Sequence, residues 1–292
     1  MKTEVKKIDG NTREINIEVG ADVVEKKFDD VFKRISQEAK VPGFRPGHAP
    51  RDIIEKKFSA AAHEQVLKEL IPDIYSQAVN KEGLDVVELP QVSDVKLSRN
   101  NLSFKAKVEV MPEVSIKDYK GIKINYKNTK VSSDEVKRSI DSFKEARKIE
   151  KLEDNLARSL GYPTLLELEN VLEKQIYLNK ENAQRQDLEN QIVENLLKGV
   201  EFSLPQSMVK RQKEDMLRQA KLDLALKGIQ REKIEAQEEK MLKDLEPEAK
   251  RQVKVYLILS SIAKRENIPV DEHMPRKVME LLLKEADWKI TD

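Results

Sequence analysis

The sequence predicts an α+β fold: an antiparallel sheet backed by helices at the start of the chain, then an elongated all-α region. Three observations predict it. Apolar residues of 1–111 switch from period 2 to helical spacing and back to period 2. From residue 132 onward helical spacing holds almost throughout. The composition is 37% charged, 39% hydrophobic and 5% aromatic, with 9 glycines and 11 prolines in 292 residues. That balance suits long helices with one apolar face and a wide solvated one. The expected domains are 1–115 (α+β), 116–131 (extended linker) and 132–292 (helical).

In order along the chain, Val5, Ile8, Ile15, Ile17 and Val19 alternate with charged residues around Asp9-Gly10-Asn11, which reads as a β-hairpin. Val24, Phe28, Val31 and Ile35, with Phe32 beside them, mark a helix over 21–38. Pro50 fits the first position of a short helix to Phe58. A longer helix follows from about Ala60 to Lys81, with the stripe Val66, Leu67, Leu70, Ile71 and Ile74. Pro72 threatens it with a kink and Gly83 stops it. Strands are expected over 84–89, 92–98 and 102–111, the last two joined by a turn at 98–101, and a further short strand within 111–128.

The helical region opens on Ser132 or Ser133 as a cap. Thr164 and Glu167 form a capping box for a helix running to Gly199, which at about 35 residues would be roughly 50 Å long. Pro205 starts a helix over 202–228, a shorter one spans 231–245, and Pro247 opens the most apolar helix. The last helix is expected near 275–287.

Several function classes drop out. There is no cysteine, hence no disulfide and no thiol chemistry. Net charge is +1, so an anionic partner must meet a local patch. No apolar run approaches the roughly 20 residues of a membrane span, and the first residues lack the apolar stretch of a signal peptide. A cytoplasmic protein with no membrane partner is the expectation. His48, His63 and His273 have no companions at metal-ligand spacing, and no nucleotide-binding or nucleophile-elbow motif occurs, so no cofactor is expected. The many carboxylates alternate with Lys and Arg on helices, as solvated partners do.

One stretch is sharper. In "KVPGFRPGHAPRDIIEKKF" Pro42, Gly43, Pro46, Gly47 and Pro50 hold Phe44 and Arg45 between two helices. Such a loop is either a tight turn with Phe44 in the core or a docking tip. In the second reading prolines lower the entropy lost on binding and glycines permit close approach. Phe44 then offers apolar area, and Arg45 a planar cation for phosphate or carboxylate. Lys40, Arg45, Arg51, Lys56 and Lys57 outnumber Asp52 and Glu55, a balance suited to an RNA-rich surface.

These residues carry a resemblance. "GFRPGHAP" resembles the ribosome-docking signature of the trigger factor family of bacterial nascent-chain chaperones, with Gly43, Phe44, Arg45, Gly47 and Pro50 matching. Pro46 stands in a slot that often holds lysine in that family. "NLARSLGYPTLLELENVLEKQI" and "VEFSLPQSMVKRQ" resemble the start and one arm of the family's helical domain. The resemblance implies that 1–115 docks on the large ribosomal subunit, protein and rRNA, through Gly43, Phe44, Arg45, Pro46, Gly47 and Pro50. It implies that helical arms hold unfolded nascent polypeptides without ATP. Flexible side chains suited to that role are Met208, Val209, Met216, Leu217, Leu224 and Met241, whose bland alternative is helix packing. A homodimer stays open.

Two departures stand out. Near residue 150, "RKIEKLEDNLARSLGYPT" runs from one helix into the next, where relatives carry a prolyl isomerase domain. No strand-rich segment of domain size lies there, so no isomerase activity is expected. The runner-up reading is a prolyl isomerase with chaperone arms. "NIPVDEHMPRKVMELLLKEADW" likewise passes straight to the final helix and omits family helices.

Overall fold

Alternation near the start of the chain builds the strands expected of it. In the computed structural model, residues 1–42, 44, 48–116, 118–147, 157–158 and 161–291 are described. Strand β1 (Lys2–Lys7) pairs antiparallel with β2 (Thr12–Val19). The Asp9 carboxylate accepts from the Asn11 and Thr12 N–H groups at 2.9 and 2.8 Å and closes the turn. With β3 (Gln91–Ser98) and β4 (Asn101–Glu109) these form a sheet of order β1-β2-β4-β3.

Helices α1 (Ala21–Glu38) and α2 (Arg51–Glu82) supply the rest of the core. Ile15, Ile17 and Val19 of β2 and Leu102, Phe104, Ala106 and Val108 of β4 bury with Val24, Phe28, Val66 and Leu70. Helix α2 contains the short and the long helix of the sequence reading, divided at Phe58, whose φ of −115° and ψ of 18° are non-helical. Pro72 removes one hydrogen bond, toward Lys68, yet the dihedrals there stay helical. Gly83 ends the helix at φ 62°. The strand expected over 84–89 reduces to one bridge, Val86 to Val110. Pro90 has no N–H to donate and interrupts the ladder before β3 begins.

By contacts the described chain divides into two units, Met1–Glu113 with Glu201–Lys254, and Val114–Val200 with Val255–Asp292. In the second unit Val114 and Ile116 are buried, and Val114 carbonyl oxygen accepts from Ser261 Oγ at 2.8 Å. Strand β5 (Lys123–Lys127) follows, then α3 (Ser133–Arg147) and α4 (Leu165–Leu197). Ser132, not Ser133, caps α3: its Oγ accepts from Glu135 N–H at 3.3 Å, and Glu135 Oε2 accepts from Ser132 N–H at 2.9 Å. Thr164 caps α4 as expected, accepting from Glu167 N–H at 3.3 Å. At 33 residues α4 is about 50 Å long. The expected helical continuation through 148–156, and with it the junction near 150, lies outside the described residues.

The remaining helices are α5 (Gln206–Leu226), α6 (Arg231–Ala236), α7 (Glu238–Arg265) and α8 (Met274–Lys284). Two expectations change here. Pro247 does not open a helix but sits inside α7. Its ring is exposed, so only the missing bond toward Lys243 is lost, while Ala249, Val253 and Leu257 carry one buried face onward. The chain after α8 is strand β6 (Asp287–Thr291), parallel to β5, rather than more helix. Gly121 and Asp287 N–H groups bond Glu285 and Ile122 carbonyl oxygens, both at 2.9 Å, and draw the chain onto β5.

Candidate functional site

The α1–α2 loop is fixed at both ends. Ala39 N–H bonds Ile35 carbonyl oxygen at 2.8 Å to end α1, and Val41 is buried. At the other end Pro50 stands before the first turn of α2, its carbonyl oxygen accepting from Ile53 and Ile54 N–H at 3.1 and 3.2 Å. Ile54 anchors that turn at 1% exposure. Between these anchors Phe44 N–H bonds Val41 carbonyl oxygen at 3.1 Å, and Phe44 is 39% exposed. Gly43, Arg45, Pro46 and Gly47 lie outside the described residues.

The charges beside the loop are of two kinds. Arg51 bonds Glu55 at 2.6 Å and also Asp29, and Arg99 bonds Glu55 at 3.0 Å. Hydrogen bonds from Arg51, then Arg99, hold the Glu55 carboxyl below its usual range. Lys40, Lys56 and Lys57 are exposed beside this network. A cleft of about 440 Å³ lined by Asp29, Phe32, Lys33, Ser36, Arg51 and Ile54 opens next to the loop.

The second candidate surface is the pair formed by α5 and the first half of α7. Lys221 meets Glu238 at 2.6 Å, Lys213 meets Glu246 at 3.6 Å, and Gln212 meets Gln252 at 2.7 Å, so the helices run antiparallel. Val209 and Leu217 are buried at 4% and 7%, four residues before Lys213 and Lys221 of this seam. Met208, Met216, Leu224 and Met241 are half-buried. The sequence reading missed Leu222, Leu226 and Ile229, exposed at 53%, 78% and 40%. Leu222 and Leu226 stand i, i+4 on the last turns of α5, and Ile229 follows beyond the helix end and Gly228.

The root of this helix pair is tied to the sheet. Glu109, at the end of β4, accepts from Gln206 and Ser207 N–H at 3.2 and 2.9 Å and caps α5, which Pro205 cannot do. Asn11 Nδ2 donates to Ser203 carbonyl oxygen at 2.6 Å. Gly10 belongs here because a Cβ would stand 2.5 Å from Ser203 Oγ.

The histidines lie apart. His63 packs edge-on against Phe28 at 4.9 Å, His48 is exposed, and His273 pairs with Glu272 at 3.4 Å. Among the described residues no three His, Cys, Asp or Glu side chains gather as a metal site, and no helix is long and apolar enough to cross a membrane.

Two family models match the chain: bacterial trigger factor protein over residues 1–143, and bacterial trigger factor protein C-terminus over 164–287. The trigger factor of Solibacter usitatus is 25% identical over 358 positions, covering 89% of this chain and 85% of the relative. That alignment is longer than the 292 residues here, so the relative carries segments this chain lacks. The trigger factor of Halalkalibacterium halodurans is 35% identical over 147 residues, 50% of this chain and 34% of the relative. A solved trigger factor chaperone, from work on promiscuous substrate recognition in folding and assembly, aligns at a TM-score of 0.57 and 17% identity, covering 98% of this chain and 100% of the other.

Proposed function

Because the chain belongs to the bacterial trigger factor family and lacks its isomerase domain, we propose that it is an ATP-independent chaperone that docks beside the ribosomal exit tunnel. It holds unfolded nascent polypeptide there, in the cytoplasm. The observation that carries the reading is Phe44: an aromatic residue 39% exposed on a loop whose ends are pinned by Val41 and Ile54. A side chain held out on restricted backbone loses little freedom on binding. Gly43, Arg45, Pro46, Gly47 and Pro50 complete the proposed contact, with Lys40, Lys56 and Lys57 as a cationic border for rRNA.

The client surface we assign to the α5–α7 pair. Met208, Met216, Leu224 and Met241 offer flexible, half-covered apolar groups, and Leu222, Leu226 and Ile229 extend them. Val209 and Leu217 serve as seam residues beneath this surface. The isomerase reading has less support, since only residues 144–163 separate the two matched segments.

The test is co-sedimentation with purified ribosomes. Phe44→Ala with Arg45→Ala is expected to abolish it while leaving circular dichroism unchanged, and unaltered co-sedimentation would reject the docking assignment. In a proline-limited refolding assay no catalysis is expected, and a rate rising with enzyme concentration would restore the isomerase reading.

A further inference from the structure

Among the described residues, three outer strand edges are closed and one is open. Strand β1 lines its edge with Lys2, Glu4 and Lys6, all exposed. Strand β3 breaks its edge with an irregularity between Ser93 and Lys96, where Asp94 takes φ 53°. Both are recognised ways to stop a sheet from recruiting another strand. The outer edge of β5 is closed by side chains of α4. Gln191 Oε1 accepts from Asn125 N–H at 2.7 Å while its Nε2 donates to Asn125 carbonyl oxygen at 3.1 Å. Gln184, in the amide orientation that satisfies both of its atoms, does the same at Lys127, at 3.2 Å each way.

The outer edge of β6 has no such cover among the described residues, since β6 pairs with β5 alone. Asp287 N–H points to β5, where it bonds Ile122 carbonyl oxygen. By alternation Lys289 points the same way, and the N–H and C=O groups of Trp288 and Ile290 face outward. The register pairs Ile124 with Trp288 and Tyr126 with Ile290, so these four share one face of the ribbon. Ile124 is fully buried, but Trp288 is 45% and Ile290 76% exposed. The indole is already oriented: its Nε1 donates to Leu283 carbonyl oxygen at 3.0 Å, and the ring meets Tyr126 at 5.9 Å. The opposite face carries exposed Lys123, Lys127 and Lys289 against Asp287.

We infer that the open edge of β6 takes up an extended segment of unfolded polypeptide as an added strand, one that alternates apolar with acidic residues. The apolar side chains continue the Trp288–Ile290 row and the acidic ones meet Lys289 and the lysines of β5. Charge complementarity selects this occupant over a basic segment. The inference rests on the chaperone reading for the source of the ligand, but on a surface separate from the α5–α7 stripe and the loop.

Trp288 is the single tryptophan of the chain and reports on its own site. Full-length protein is titrated with a soluble peptide alternating glutamate and valine, and with its lysine–valine counterpart, following Trp288 emission. The acidic peptide is expected to shift emission to the blue saturably, and the basic one at least tenfold more weakly. Ile290→Pro removes an outward N–H without touching the β5 ladder, and is expected to weaken binding tenfold or more. Lys289→Glu, which leaves the backbone alone, is expected to reverse the preference between peptides.

No emission change with the acidic peptide overturns the inference, as does equal binding of both. Concentration-dependent self-association lost in Ile290→Pro would assign the edge to a second copy instead, and also overturns it. Suppression of aggregation of a denatured client is measured alongside. Wild-type failure there sinks the proposed function, whereas success there with a silent Trp288 sinks only this inference.

Discussion

The sheet module and the α5–α7 helix pair belong to one contact unit, yet opposite kinds of interaction hold them. In the module Ile15, Val19, Val24, Ala62, Val66 and Leu102 are fully buried in one cluster spanning both layers. In the helix pair the buried apolar groups are Val209, Leu217, Ala249 and Val253, spread along the length, and polar side chains bridge the gaps. Exposed ion pairs of this kind contribute roughly 0–1 kcal/mol each. A chain that withholds leucine and methionine from a core leaves them available on its surface. The module's shape is fixed by its apolar cluster, whereas the helix pair keeps much of its apolar surface part-exposed.

The difference can be broken experimentally, beginning with the largest effect. Phe104→Ala, at a position 2% exposed between sheet and helices, is expected to cost about 3–5 kcal/mol in denaturant unfolding of the module. Leu217→Ala, on a thin two-helix seam, should cost about 2 kcal/mol. Hydrogen exchange should confine that loss to the amides of α5–α7, and matching losses in β2 and β4 would erase the distinction. Gly10→Ala drives a methyl group against Ser203 and is expected to cost about 1–2 kcal/mol. Faster exchange around 203–209 with an unchanged β1–β2 hairpin would mark it as damage to the root of the pair.

Acid gives the smallest and most graded test. Hydrogen bonds from Arg34, Lys27 and Gln65 hold the Glu69 carboxyl at about 2, and Lys250 with Lys213 depresses Glu246. Both carboxylates are depressed on folding, so their contribution is complete above the unfolded value of 4.5 and lost as pH falls through the folded one. As pH falls below 4.5 through the depressed value of Glu246, the α5–α7 pair should loosen, whereas Glu69, which ties α1 to α2, keeps its charge until about pH 2 and the apolar cluster keeps the module's sheet signal. Loss of both together in an acid titration followed by NMR would show that the module too depends on charge.

Much of this was legible in the sequence because it was local. The hairpin, α1, the division of α2 near Phe58, the Gly83 stop and the Thr164 cap each follow from periodicity or from one residue's backbone preference. The β5–β6 pairing was not, because its partners lie about 160 residues apart and the five residues of β6 follow a helix without a glycine or proline to announce the change. Pro247 misled for the opposite reason: a strong local signal was overridden by the apolar face that continues across it. Of the candidate surfaces, the loop announced itself through its prolines, glycines and Phe44. The exposed Leu222, Leu226 and Ile229 did not, because exposure is decided by tertiary packing that the local pattern does not record.

The interruption of α2 at Phe58 has a mechanical consequence. The turns that bear Pro50 and Ile54 are separated from the long segment carrying Ala62, Val66, Leu70 and Ile74 by one residue outside helical geometry. The first turns therefore hold their place by their own contacts rather than by the helix that follows: Ile54 seats them in the core, Arg51 ties them to Asp29 on α1, and Arg99 reaches Glu55 from the turn between β3 and β4.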